Sequence, residues 1–280
     1  MLCAPAASRD TAPLQVLPIP ALADNYIWLM GAAREAIVVD PGDARPVIAA
    51  LAAHGWTLSA ILLTHHHADH VGGVAGLLAH HAAAHGAAAT VPVYGPAGED
   101  IAHVTHRLRG GDVVEIAQPA ARFTVIDVPG HTRGHIAFHQ AAADGAPPRV
   151  FCGDTLFATG CGRLFEGTPA QMQASLDQLA ALDDATQVHC AHEYTLANIR
   201  FALACDADNI DLQAWQTRAQ ALREQGVPTL PTTLGDERRV NPFLRVDAPA
   251  IRAALHRQLG RPVGDRLAAF TALRAWKDRF

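Results

Sequence analysis

The chain has 280 residues, 50% of them apolar and 18% charged, which excludes a mainly disordered protein and allows one large domain or two unequal ones. Lysine and arginine number 22 against 27 aspartates and glutamates, a formal charge of -5, which argues against general binding of nucleic acid or of an anionic membrane surface. No apolar run approaches the ~18 residues of a membrane span. The opening MLCAPAASRDTAP lacks a basic stretch followed by an apolar one, and the five cysteines (Cys3, Cys152, Cys161, Cys190 and Cys205) are scattered and odd in number, so a reducing, cytoplasmic setting is expected.

From Leu14 to about Val39 the pattern reads as short strands, the last of them, Ile37-Val38-Val39, stopping at the turn signal Asp40-Pro41-Gly42. Residues 44–54 have helical spacing, with Pro46 in the first turn. Ala60–Leu63 is a buried strand running into Thr64-His65-His66-His67, and a helix is expected from about Val71, opened by Gly72-Gly73. The Ala-rich stretch 79–90 continues that helix to a loop near Gly86; its His80, His81 and His85, near a helical turn apart, have the spacing of ligands, but an exposed histidine-bearing helix end is the preferred reading. Strand patterns return at 91–94, 112–117, 122–128 and 149–152, the last after the turn Asp144–Pro148. Beyond Glu193 the periodicity becomes helical, at 195–206, 211–225, 247–259 and 263–278, interrupted at Val227–Pro231 and Asn241-Pro242. This order predicts an α/β fold, with an α/β domain over residues 1–192 and a helical domain over 193–280.

Sixteen histidines stand out, and the densest group is Thr64-His65-His66-His67-Ala68-Asp69-His70 at the end of a buried strand. Side chains alternate along extended backbone, so His65 and His67 can point to one spot while Asp69 and His70, past a turn, face a neighbouring one. Neutral imidazole and carboxylate suit borderline divalent metals, zinc above all. His131, Asp154 and His192 each follow a β-like run, where α/β folds place their sites. Together these are seven candidate ligands, enough for two metals if one carboxylate bridges them. His66 alternates away from its neighbours and reads as a packing or hydrogen-bonding residue. His135, between glycines, reads as structural or supporting; His189 as core or supporting. Asp40 fits support of a ligand and simple turn chemistry equally.

Beyond this cluster, the blocks PGHTRGH (129–135), FCGDTLFATGCGRLFEG (151–167), CAHEYTLANIRFAL (190–203) and RAWKDRF (274–280), with DNYIW (24–28) and VDPGD (39–43), resemble the hydroxyacylglutathione hydrolases (glyoxalase II) of the metallo-β-lactamase superfamily over essentially the whole chain. The resemblance implies an αββα sandwich followed by a helical glutathione-binding domain. It implies two divalent ions per chain, zinc by default with iron or manganese as alternatives. His65, His67 and His131 would hold the first, Asp69, His70 and His192 the second, and Asp154 both. It implies hydrolysis of S-D-lactoylglutathione to glutathione and D-lactate by a metal-bridging hydroxide, with Asp69 available to orient it, as the second step of methylglyoxal detoxification. Arg163, Phe165, Tyr194, Arg274 and Lys277 would meet the peptide, Phe165 standing where some relatives carry Tyr. Arg274 and Lys277, three apart, share a helix face and suit a carboxylate, with Leu267, Phe270 and Leu273 as the anchoring stripe. Asn198 divides evenly between a substrate contact and the helix surface. The substrate is a small molecule, and a monomer is expected. The rivals are a lactonase or β-lactamase on the same fold, a one-iron persulfide dioxygenase, a metal-binding protein without turnover, and a mechanism with Cys161 as nucleophile.

Overall fold

The computed structural model describes residues 14–143 and 145–280; the N-terminal segment with Cys3, and Asp144 of the expected turn, lie outside the described residues. One six-stranded sheet has the order β1 (Gln15–Ala21), β2 (Asn25–Ala32), β3 (Glu35–Val39), β4 (Thr57–Leu62), β5 (Val93–Pro96), β6 (His106–Leu108). Its first three strands are antiparallel and the rest parallel. The second sheet begins with an antiparallel meander of β7 (Val113–Ile116), β8 (Ala121–Asp127), β9 (Ile136–Gln140) and β10 (Arg149–Gly153). After the small hairpin β11 (Leu156–Phe157) and β12 (Gly160–Cys161), β13 (Gln187–Cys190) joins parallel to β10 and β14 (Thr232–Thr233) closes the edge.

Alternation along the strands creates the layers. On β2, Trp28 and Met30 point inward to Phe123, Phe138 and Phe151 of the second sheet. Ile27 and Leu29 point outward with Val38 and Ile61. The outward set is covered by α1 (Ala44–His54) and α3 (Val74–His85) through Val47, Leu51, Val74 and Leu77. The single turn α2 (Ala68–Val71) precedes α3. The expected helix from Val71 is therefore two pieces. At Gly73 the chain runs so close to the Asp40–Ala44 turn, its N–H bonded to Pro41 O at 2.8 Å, that a side chain there would collide with that backbone.

On the second sheet lies α4 (Pro169–Ala180), burying Met172, Leu176 and Leu179. Periodicity alone did not single out this helix, yet its start is written in Thr168-Pro169-Ala170-Gln171: Thr168 caps the Gln171 N–H, Gln171 reaches back, and proline takes the first helical position. The remaining helices are α5 (Thr195–Cys205), α6 (Ile210–Glu224), α7 (Leu234–Val240), α8 (Pro249–Leu259) and α9 (Arg266–Lys277). Four match the expected periodic stretches. The fifth, α7, and β14 sit in the stretch that read as interruption, too short for either period to register. On α9 the stripe is narrower than expected, because Phe270 and Leu273 are fully buried whereas Leu267 stays 38% exposed.

These C-terminal helices grip the β11–β12 hairpin. Thr159 at its tip has φ of 61°, an uncommon conformation for a β-branched residue. Its N–H donates to Glu237 Oε2 at 2.8 Å and its hydroxyl accepts from Trp215 Nε1 at 3.0 Å. Asn241 Nδ2 donates to Gly160 O and to Glu237 Oε2, both at 2.9 Å. Burial pushes the Glu237 carboxyl up to about 7 from its ordinary 4.5. The folded protein therefore keeps this proton where the unfolded chain has lost it. The stability linked to it is full below about pH 4.5 and is lost as pH rises through about 7. Glu237→Gln, which needs no ionisation, should lose this dependence. Relative to wild type its melting temperature should rise between pH 5 and pH 8 by roughly 3–6 °C, read from calorimetric melts at the two pH values.

A candidate dinuclear metal centre

The strand ends and turns converge at one edge of the sandwich. The segment after β4 delivers His65, His67, Asp69 and His70; the loops after β8, β10 and β13 deliver His131, Asp154 and His192. His67 Nδ1 lies 3.1 Å from His65 Nε2 and 3.0 Å from His131 Nε2, so three ring nitrogens face one point. Asp69 Oδ2 lies 3.5 Å from His70 Nε2 and 3.4 Å from His192 Nε2, facing a second. Asp154 stands between them. Its Oδ2 is 3.3 Å from His131 Nε2, and its Oδ1 is 3.4 Å from His70 Nε2 and 3.3 Å from His192 Nε2. All seven sequence candidates are thus brought together, in the expected grouping.

The outer ring nitrogens are held. His70 Nδ1 meets Asp40 Oδ2 at 3.1 Å, His192 Nδ1 meets Asp24 Oδ1 at 2.8 Å, and His131 Nδ1 meets Arg163 O at 2.9 Å. Thr64 Oγ1 lies 3.1 Å from His65 Nδ1 and donates to Asp40 Oδ2 at 2.7 Å. Such partners fix the tautomer that leaves the inner nitrogen's lone pair free. Asp40, His65 and His70 also lie close enough to form a third cluster. Asp40, however, already accepts from the Thr64 N–H at 2.8 Å and from the Thr64 hydroxyl, so its place is support of His70. Asn25 Nδ2 donates to Asp69 Oδ2 at 3.1 Å. The glycine of the Asp40-Pro41-Gly42 turn lets the Asp69 backbone lie directly on it.

The charges fit a pair of cations. Burial and the neighbouring imidazoles drive His65 well below its ordinary range, and burial, with His66 on His67, also lowers His67 and His131. At the other cluster burial, which would lower His70 and His192, is outweighed by Asp154 with Asp40 or Asp69, and both rise. Burial alone would raise Asp154, but His70 and His192 hold it well below the carboxylate range. His70 Nε2 and Asp154 Oδ1, both buried, have no hydrogen-bond partner. Buried atoms of this kind are seldom left unmatched; here both face the same point as Asp69 and His192. The donor set suits two divalent ions of borderline character, with Asp154 lying between the two clusters.

The other sequence candidates divide. His135 is buried against His65, accepts from the Asp154 N–H at 3.2 Å, and is pushed down to about 3 by burial, so it positions the Asp154 backbone as a neutral ring. His66 pairs with Glu99 at 2.9 Å, and His189 packs in the core edge-on to Trp28. Asn198 is buried and donates to Ala158 O at 3.0 Å, which corrects the helix-surface reading, because its amide is turned to the β11–β12 turn. Cys161 is buried and its thiol raised by burial, leaving it unactivated as a nucleophile. Phe165 (62% exposed) lies over His67 and His131, and Tyr194 stacks on His192 at 4.7 Å, so two aromatic rings flank the mouth. Arg274 is buried, donating to Cys161 O at 2.8 Å and to Asp278 at 2.9 Å. Arg163 is exposed, 3.8 Å from that same Asp278. Lys277 lies over the rings of Phe201 and Phe280, its pKa lowered by burial and by Arg274, Arg200 and Arg163. Asp24, Asn25 and Thr64 had no assigned role in the sequence reading. The block DNYIW contained the first two, but nothing local ties residue 24 to residue 192.

An αββα sandwich with paired His/Asp clusters at its strand ends defines a metal-dependent hydrolase of the metallo-β-lactamase class. The family model described as metallo-beta-lactamase superfamily matches residues 23–192, and that described as hydroxyacylglutathione hydrolase C-terminus matches 193–280. Proteins named hydroxyacylglutathione hydrolase from Cupriavidus metallidurans and Cupriavidus taiwanensis are 56% and 57% identical over 267 residues, 95% of this chain and 99% of each relative. A solved structure described as TTHA1623 in a di-iron-bound form is similar with a TM-score of 0.54 and 28% identity, covering 82% of this chain and 100% of that one. The chain belongs to the hydroxyacylglutathione hydrolase family.

Asp24→Ala removes the carboxylate that orients His192 without touching an inner donor atom. The second cluster should then lose roughly 10–100-fold in metal affinity, with the first less affected. Metals counted per chain after dialysis against a graded chelator check this.

Proposed function

We propose that this chain hydrolyses S-2-hydroxyacylglutathiones, S-D-lactoylglutathione among them, releasing glutathione and D-lactate as the second step of methylglyoxal detoxification. One observation carries the reading: the segment that bears Asp154 continues within ten residues to Arg163, and Arg274 is bonded to it at Cys161 O, so a cationic corner built for a peptide carboxylate adjoins the metal cradle. On this reading residues 1–192 form the catalytic unit and 193–280 the glutathione-binding one. The ions are two per chain and zinc, with His65, His67, His131 and Asp154 at the first and Asp69, His70, His192 and Asp154 at the second.

Ions bound in such a cradle supply a water acidified toward neutral pH and a polarised thioester carbonyl. The chain's own residues do the rest. Asp154 and Asp69 bring the negative charge that would hold the pair, and Asp69, 38% exposed at its side chain, faces the open side where it can orient the attacking water, whose proton passes to solvent. Water oxygen adds to the carbonyl carbon, the C–S bond breaks, and the electron pair leaves on the glutathione sulfur, a leaving group that needs little acid help. Phe165 and Tyr194 shield the mouth, and Arg163, Lys277 and the buried Arg274 fix the peptide end, converting binding energy into placement. Phe165 has no hydroxyl to offer the peptide, so those cations carry more of the binding.

Among the described residues no helix is long and apolar enough to cross a membrane. A cytoplasmic monomer is the setting proposed for the chain.

Loss of thioester absorbance with S-D-lactoylglutathione, together with metals per chain, tests the function. Wild type should hold two ions and turn over. Asp154→Ala should lose roughly 10³-fold or more in kcat, the scale of removing a transition-state electrostatic partner. Two ions without turnover would move the substrate to another ester or a lactone, and one iron with oxygen uptake would end the hydrolase reading. Lys277→Ala should raise KM about tenfold, ~1.4 kcal/mol, with kcat nearly unchanged, the signature of lost uniform binding. A fall in kcat at constant KM would remove Lys277 from the peptide site.

A further inference from the structure

Three histidines of the Ala-rich segment have no part in the catalytic centre. His81 and His85 lie four apart on the last turn of α3, where residues at that spacing are surface neighbours. Their rings are 4.6 Å apart, centroid to centroid, and tilted by 41°. With His80 they line a crevice of about 110 Å³ against Leu51, Trp56 and Leu58. The turn they occupy is a helix C-terminus, whose carbonyl dipoles favour a cation. Burial, His85 and His80 lower the pKa of His81, so its lone pair is free at neutral pH.

We propose that His81 and His85 form a peripheral site for a borderline divalent transition-metal ion of the copper, nickel or zinc class. Two imidazoles at this spacing can converge on one ion, and such nitrogen donors rank copper highest among these metals. The site is independent of catalysis. It sits toward the far end of α3 from Gly73, about 12–18 Å along the helix from the turn that supports Asp40 and Asp69, on the face of the first sheet that points away from the second.

The test uses protein carrying its two catalytic ions, titrated with Cu2+. Each element is counted separately, so copper that displaces a catalytic ion is recognised, and the electron paramagnetic resonance spectrum reports nitrogen ligands. Wild type should take one additional copper with two nitrogen donors. His81→Gln and His85→Gln should each weaken it at least tenfold, while His80→Gln and His54→Gln retain it. Far-ultraviolet circular dichroism of each variant confirms that α3 is intact. No additional copper in wild type, an undiminished copper in His85→Gln, or an equal loss in His80→Gln would overturn the proposal.

Discussion

Everything at the metal centre depends on the two sheets being joined at one end by backbone hydrogen bonds. Ile136 N donates to Thr64 O at 3.0 Å, Tyr26 N to Ala191 O at 2.7 Å, and Glu193 N to Asp24 O at 2.9 Å. Each bond lies within two residues of a group that builds the site: His65, Asn25, His192. Four of the seven inner donors come from the first sheet and three from the second, so neither sheet contains a site by itself. A slip of one residue in either layer would turn the ligand-bearing side chains to the wrong face. Trp28 guards against this slip. Its ring fills the apolar interlayer, while its Nε1 donates to Cys190 O at 2.9 Å, two residues before His192. Burial drives the layers together and the indole hydrogen bond sets where they stop.

The same logic runs outward from the inner donors. A carboxylate 6% exposed, as Asp154 is, costs several kcal/mol unless opposite charge and hydrogen bonds compensate it. Its position must therefore be fixed before any ion can be matched to it. Two devices do this from opposite sides. His135, a neutral ring buried beneath His65, takes the Asp154 N–H. The hairpin that follows is held at the strained Thr159 by Trp215, Glu237 and Asn241, all of them from the C-terminal helices. The helical part thus supplies the rigidity of the segment on which Asp154 rides.

How much of this was legible in the sequence follows from distance along the chain. The inner donors were readable because each follows a β-like run and because His65-His66-His67-Ala68-Asp69-His70 is too dense to be incidental. Four of the C-terminal helices were readable because their periods run for eleven residues or more. What escaped was either short or nonlocal. The two residues of β14 and the seven of α7 are too short for a repeating pattern to stand out. Asp24 acquires its role only through a partner 168 positions away, and Asn25 through one 44 away. Asn198 was misjudged for a related reason. Its position on a helix was correct, but the direction of its amide was set by a turn forty residues earlier. Helix α4 is the exception, since a proline-led capping box announced it and periodicity alone overlooked it.

The way recognition couples to chemistry follows from Arg274. On the proposed reading it belongs to the peptide site, yet it is almost wholly buried, between Asp278 and the carbonyl of Cys161. A guanidinium in that position cannot swing out to collect a ligand, and is already aligned before one arrives. Asp278 lies within 4.0 Å of both Arg274 and Arg163, so the two cations are kept near each other in spite of their repulsion. A carboxylate entering this corner meets charge whose desolvation was met during folding, which lowers the cost of ordering on binding. Because Arg274 holds the segment that follows Asp154, a peptide bound there would be held by the same rigid segment that carries Asp154. The distance from the peptide end to the reacting carbonyl then becomes a property of the fold rather than of a flexible loop.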